Sequence, residues 1–394
     1  MSGYTGNKDI PSIFVERGDE MKRIAVLTWF NRGRNYGQTL QAFALNHTLR
    51  KMGFQCELLS YGKNGPRLTE EEINQLDGSK RELQLKFAAF VKAHIDYSPR
   101  LREPEEVRSY LQEQNFDAVV CGSDQIWNAA FPLFEPVYLL DFPLPGRKVA
   151  YAAGMMDLPL RSAVEHYPQF ADWLEDFDAV SVRENAGREI IRDLTGGKVD
   201  PMVVLDPTLL LTETEWLQNV EIPEIQREPF IFCYMYHLSD GQKLLIQDVA
   251  RENHCGTVIF SDILEEDMPE LAGLHVELAR CVSIERFLSL VRHAQATVTD
   301  TFHGNAFSII FQKNFFSLES ASSQPGNNLS RVTTLLEKAG LSQRMLRLGQ
   351  ESEAPLGESI DYKDVNRRLD AERRKSLAWL EQALAEGAKA AKMK

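Results

Sequence analysis

Paired cysteines are missing from this chain. Its five, Cys56, Cys121, Cys233, Cys255 and Cys281, are scattered without a CxxC spacing. An odd count at such spacings argues against a disulfide framework and a zinc site. Cys121, Cys233 and Cys281 lie in or beside apolar runs, where a thiol packs as a small hydrophobe, so a reducing cytoplasm is the expected compartment. Positive charge is also scarce: 44 Lys and Arg stand against 57 Asp and Glu, for a net charge of -13. Nucleic acids and anionic membrane surfaces are held mainly by Lys and Arg, which counts against both as partners. No apolar run is long enough to span a bilayer. The first twenty residues, MSGYTGNKDIPSIFVERGDE, lack the basic start and apolar middle of a signal peptide and are expected to form a disordered tail or to precede an alternative start at Met21. Absent too are a GxxxxGK[ST] loop, an HExxH pair, a GxSxG elbow and any Asp/Glu cluster at metal spacing. ATPase and hydrolase chemistry are disfavoured, and no metal is expected.

What is present is a folded α/β protein. At 394 residues with 43% hydrophobic and 26% charged, the chain is too apolar for disorder and too long for one core. Lys22–Phe30, Phe54–Tyr61, Phe116–Gly122, Arg147–Ala152 and Ala179–Val182 read as short buried strands. Between the first two, TLQAFALNHTLRKMG places Leu40, Phe43, Ala44 and Leu49 on one helical face, stopped by Gly53. Strand, helix, strand with continuously apolar strands indicates a parallel sheet covered on both faces. A second series begins after VVLDPTLLL: strands Glu228–Tyr236, Gly256–Phe260, Ala296–Thr299 and Asn314–Leu318, with helices Gln242–Asn253, Ile284–His293, Asn305–Gln312 and Thr333–Ala339. The expected domains are therefore a Rossmann-like unit at 21–205, carrying a charged helical insertion at 66–113, and a second at 206–345. Pro201 and Pro207 mark the joint. From 346 onward, a linker leads to a helix with Leu369, Leu377, Leu380 and Leu384 on one face, which must pack back on the first domain or on another subunit.

Ligands of open α/β sheets bind at the carboxyl ends of the strands, and four loops lie there. NRGRNYGQT (31–39) combines glycines with Arg32, Arg34, Asn35 and Tyr36 ahead of a helix whose free N–H groups suit an anion; its plain alternative is an ordinary loop with solvated arginines. CGSDQIWN (121–128) sets Ser123, Asp124, Gln125 and Asn128 at a strand end, with Trp127 as a flat face for a sugar; the alternative is a helix cap and a core tryptophan. AVSVRENAG (179–187) ends its strand on Arg183, whose fork fits a carboxylate or phosphate; the alternative is a salt bridge to Glu184. TVTDTFHGNAFSIIF (297–311) puts His303 and Gly304 at a helix start, where an anion gains from the dipole and a histidine moves a proton. There the alternative is a histidine bonded quietly to backbone.

Taken in order, NYGQTLQAFAL (35–45), DAVVCGSDQIWN (117–128), KVAYAAG (148–154), SVRENAG (181–187), VLDPTLLL (204–211) and TDTFHGNAFSIIFQKNFFSL (299–318) resemble the polysaccharide pyruvyl transferase family. NNLSRVTTLLEKAGLSQR (327–344) is a weaker match. The resemblance implies two Rossmann-like domains facing a cleft in a glycosyltransferase-B-like arrangement. It also implies phosphoenolpyruvate as donor, a saccharide or lipid-linked saccharide as acceptor, and a pyruvate ketal as product, in exopolysaccharide or glycoconjugate biosynthesis. No cofactor besides the donor is expected. The implied location is cytoplasmic, free or peripheral to the inner face of a membrane, as a monomer or homo-oligomer.

By motif, Arg183 and His303 are implied donor-binding residues. Arg32, Arg34, Asn35 and Gly304 are expected beside them. His303, with Asp124 as second choice, is the expected proton donor. Gln125, Trp127, Asn128 and Tyr36 are assigned to the acceptor. One branch of the family has Arg two residues before this histidine, where the chain has Thr301, so Arg32, Arg34 or Arg331 is left to make up the charge. YAAG also stands where close relatives have YAASFG. Two rivals stay open: a nucleotide-sugar glycosyltransferase recruiting Glu285 or Glu319, and a catalytically idle saccharide-binding or scaffold protein.

Overall fold

The computed structural model describes residues 21–30, 35–62, 68–129, 134–155, 165–235, 238–261, 268–319, 329–347 and 354–385. The first half runs β1 (Arg23–Leu27), α1 (Tyr36–Lys51), β2 (Gln55–Leu58), α2 (Glu70–Asn74), α3 (Gly78–His94), α4 (Pro104–Gln114), β3 (Ala118–Cys121), β4 (Arg147–Ala153), α5 (Phe170–Glu175), β5 (Ala179–Val182), α6 (Asn185–Leu194) and β6 (Met202–Val203). A 3-10 turn at Pro207–Leu210 and α7 (Glu213–Asn219) lead onward. The second half comprises β7 (Phe230–Tyr234), α8 (Asp240–Glu252), β8 (Thr257–Ser261), β9 (His275–Leu278), α9 (Ile284–His293), β10 (Ala296–Thr299), α10 (Phe302–Ile310), β11 (Asn314–Leu318), α11 (Leu329–Ala339) and β12 (Met345–Leu346). Helix α12 (Tyr362–Ala385) follows.

These strands form two six-stranded sheets, ordered β2-β1-β3-β4-β5-β6 and β12-β11-β10-β7-β8-β9, with parallel pairing throughout. Strand order reverses between β1 and β3 in the first sheet and between β7 and β10 in the second. Those are the crevices where doubly wound sheets take ligands. The strands expected from apolar runs are the central ones together with β2, at one edge of the first sheet. β6, β9 and β12, which the sequence reading did not anticipate, all lie at sheet edges. Two of them are two residues long and β9 is half exposed, so none carries a strand-length apolar pattern of its own. Helix α10 starts at Phe302, earlier than expected from Asn305, because the Thr301 hydroxyl caps it by accepting from Gly304 N at 3.0 Å.

Alternation along the strands sorts side chains into separate cores. Ile24 and Val26 of β1 face one way, Ala25 and Leu27 the other. In β7, Phe230, Phe232 and Tyr234 face one way, Ile231 and Cys233 the other. The first-named faces of the two sheets share one continuous core, filled by α1, the 3-10 turn, α9 and α10. Phe43 meets Trp216, which meets Phe307, at ring distances of 5.4 and 5.1 Å. The halves are therefore joined through packed side chains and not only by a linker.

Two further elements cross the seam. From the 66–113 segment, α3 sends Lys86 Nζ to Cys281 O at 2.7 Å, and Phe87 packs on Tyr36 at 5.2 Å. Helix α12 begins on the second half, where the Tyr362 hydroxyl donates to Lys313 O at 2.6 Å. It ends on the first, where Arg147 Nε donates to Ala383 O at 2.8 Å and Ser376 Oγ accepts from Leu205 N at 3.0 Å. Leu369, Leu380 and Leu384 are buried along it, with Leu377 packed beside them. The described cysteines are free thiols, and burial pushes Cys56 up to about 12, which keeps it protonated at neutral pH.

Candidate active site at the seam between the sheets

The loop after β3 turns sharply because Gly122 takes φ 116°, and a Cβ there would lie 2.1 Å from Tyr151 O. This turn sends Ser123 and Asp124 inward. The Ser123 hydroxyl reaches Ala152 O at 2.9 Å and Asp206 Oδ2 at 3.1 Å. Arg183, at the end of β5, is sealed with its side chain 1% exposed. Its Nη1 donates to Asp206 Oδ2 at 2.8 Å, while Asp124 Oδ1 and Glu184 Oε2 lie at 3.9 and 3.8 Å. The Phe302 ring covers the guanidinium at 4.5 Å. Burial alone would lower the pKa of Arg183, but Asp206, Glu184 and Asp124 more than reverse this and hold it charged.

His303 comes from the other half, in the first turn of α10, and its Nε2 lies 3.7 Å from the same Asp206 Oδ2. That separation is beyond hydrogen-bond reach. Asp206 sits in the joint between the halves with no exposed side chain, and its Oδ1 accepts from Thr208 N and Oγ1 at 3.0 and 2.8 Å. Burial pushes its pKa up, yet His303, Arg183 and the Thr208 N–H together hold this carboxyl well below the usual carboxylate range. Gly37, in the first turn of α1, lies against the imidazole: a Cβ there would be 2.0 Å from His303 Nδ1. The N-termini of α1 and α10 therefore meet at His303. Each is capped by its own side chain, Asn35 accepting from Gln38 N and Thr301 from Gly304 N, both at 3.0 Å.

Arg331 approaches from α11, 6.0 Å from the Phe302 ring. Turned with its oxygen toward Arg331, the Gln125 carboxamide accepts from both terminal nitrogens at 2.6 and 3.1 Å, and its other end lies 3.3 Å from Asn128 Nδ2. Arg183, His303, Asp124, Gln125, Asn128, Asn35 and Arg331 thus all border one seam. Arg32 and Arg34 lie outside the described residues.

Three expectations need correction. Trp127 presents no face to a sugar: it is fully buried, its Nε1 donates to Tyr138 O at 2.9 Å, and its ring meets Phe177 edge-on at 5.5 Å. Its large apolar area is taken by the core. Tyr36 is buried across the seam, stacked on Phe287 at 4.4 Å with its hydroxyl donating to Val282 O at 2.9 Å, so it joins the halves and does not face an acceptor. The Gly304 N–H is taken by the Thr301 cap and is not offered to an anion. The residues missed were Asp206, Gly37 and Phe302. An aspartate between the apolar run VVL and a proline was a usable sign of a buried, paired carboxylate, but it read as part of a joint.

Two parallel sheets meeting at their switch points define a glycosyltransferase-B-type α/β protein with its candidate site at the seam. Structures alike in fold include UDP-N-acetylglucosamine 2-epimerase from Rickettsia bellii, with TM-score 0.52 at 12% identity over 93% of this chain and 97% of that one. The Neisseria meningitidis epimerase bound to UDP-GlcNAc gives TM-score 0.51 at 11% identity over 93% and 95%. Identities this low establish the fold alone. No curated protein sequence matches the chain. The family model of polysaccharide pyruvyl transferase matches residues 35–322, and the chain belongs to that family. Among the described residues, no helix is long and apolar enough to cross a membrane.

Proposed function

We propose that this chain transfers the pyruvyl group of phosphoenolpyruvate to two hydroxyls of one saccharide, forming a cyclic ketal. The observation that supports it most is the meeting of Arg183 and His303, from separate halves, on one buried aspartate where two helices begin. Such helix ends favour anions. Arg331 brings a guanidinium to the same seam. It compensates for Thr301, whose hydroxyl is committed to capping α10. The charge of Arg183 is already balanced by three carboxylates, so its part is to hold Asp206 and the floor of the site more than to bind the donor alone.

In this reading the protonated His303 gives its proton to the donor's methylene carbon, which becomes a methyl group. A saccharide hydroxyl adds to the adjacent electrophilic carbon and returns its proton to the imidazole. A second hydroxyl then bonds to the same carbon as the carbon–oxygen bond to phosphate breaks, and the second hydroxyl's proton leaves with the phosphate. Two hydroxyl protons enter and one methylene C–H bond and one hydrogen phosphate are formed, so the balance closes. Gln125 and Asn128 line the wall available to the acceptor.

The test is incubation with phosphoenolpyruvate and candidate saccharides, following phosphate release and a mass gain of the acceptor. Release from a nucleotide sugar in place of phosphoenolpyruvate would overturn the reading. A Gly37→Ala variant is expected to lose about 100-fold in turnover, since the new methyl displaces His303 and misplacement of about 1 Å can cost that much. Steady-state kinetics beside a melting curve checks it; wild-type kinetics in a folded variant would contradict the contact.

A further inference from the structure

Asp206 does more at this seam than neutralise Arg183. Its Oδ2 lies 3.7 Å from His303 Nε2, and that nitrogen is sealed from solvent with no hydrogen bond of its own. Two states of a neutral imidazole are conceivable there. With its proton on Nδ1, the ring would aim the Nε2 lone pair at an ionised, buried carboxylate, a repulsion in a medium that screens poorly. With its proton on Nε2, the ring aims an N–H dipole at that charge. Asp206 cannot turn away, because Thr208, Ser123 and Arg183 hold both its oxygens at 2.8–3.1 Å.

We infer that Asp206 is a positioning residue that fixes the tautomer of His303, keeping Nε2 protonated and leaving Nδ1, beside Gly37, as the nitrogen that gives and takes the proton. This rests on the proposed role of His303 and adds which edge of the ring works, and therefore where the donor must lie. Its reactive carbon approaches the Nδ1 edge of the ring, and not the Asp206 side. The other charged groups around the ring do not reverse the assignment. Arg183 lies behind Asp206 and is shared with Asp124 and Glu184; Asp300 precedes α10; Arg331 stands near the Phe302 ring.

The experiment is ¹⁵N NMR of the full-length protein with ring-labelled histidine, the His303 signals being identified by their loss in His303→Gln. In its neutral form, wild-type His303 is expected to show a protonated Nε2 and an unprotonated Nδ1. In Asp206→Asn the tautomer balance is expected to move toward Nδ1–H. The kcat with phosphoenolpyruvate should fall by about 10-fold or more as the working tautomer is lost, with KM changed less than about two-fold and partial rescue by Asp206→Glu. A wild-type Nδ1–H tautomer, or an unchanged tautomer balance in a folded Asp206→Asn, overturns the inference. Should that variant not fold, the wild-type tautomer still decides. The expected tautomer without pyruvyl transfer leaves the inference standing and removes the donor reading; transfer with the opposite tautomer does the reverse.

Discussion

Replacing His303 with Ala is expected to lower turnover of phosphoenolpyruvate by about 100- to 10,000-fold, the range associated with loss of a positioned general acid. The loss should fall in kcat more than in KM, because two helix N-termini and Arg331 remain to hold the donor. The fold should survive. Asp206 keeps Thr208, Ser123 and Arg183, and α10 keeps its cap, so no buried charge loses its main partner. Quenched-flow measurement of phosphate release together with a melting curve separates the two effects. Turnover within a few-fold of wild type, in a variant that binds donor, removes His303 from the chemistry.

The second large effect is on stability. Arg183→Met is expected to cost about 3–5 kcal/mol, the usual penalty for leaving buried charge uncompensated. Asp206, Glu184 and Asp124 all lie within 4 Å of the guanidinium that would be lost. The pH dependence carries the sign. In the wild type, the folded pKa of Asp206 is held below its unfolded value, so its contribution is fully present above about pH 4 and is lost as pH falls below that. In the variant, burial remains while one of the groups that hold Asp206 ionised is gone, so its carboxyl takes up a proton more readily than in the wild type. The folded variant then binds more protons than the folded wild type, so the stability difference between them shrinks as pH falls. Urea unfolding at pH 5 and pH 8 should therefore show a smaller gap between variant and wild type at the lower pH. A gap that widens in acid would contradict the buried-carboxylate account.

Much of the framework was legible because it is written in local patterns. The central strands are apolar on both faces, and the helices Ile284–His293 and Tyr362–Ala385 carry one-sided stripes, so periodicity located them. Three edge strands, β6, β9 and β12, were not legible, since they are very short or half exposed, whereas the edge strand β2 was. Among site residues, Arg183 was legible as a cation at a strand end and His303 as an imidazole at a helix start. Trp127 and Tyr36 misled because an aromatic beside polar neighbours has the same signature whether it faces solvent or core. Only burial distinguishes them.

The amino-acid sequence by itself determined the α/β class, the parallel sheets and the polar loops at the strand ends, because each depends on neighbours a few positions apart. Tertiary structure alone decided that residues 120 positions apart, Arg183 and His303, share the carboxylate of Asp206, and that Gly37 closes on the imidazole. Pairings of that kind are set by how two sheets and the α1–α10 contact pack against one another. That packing is a property of the filled core, and no local pattern encodes it.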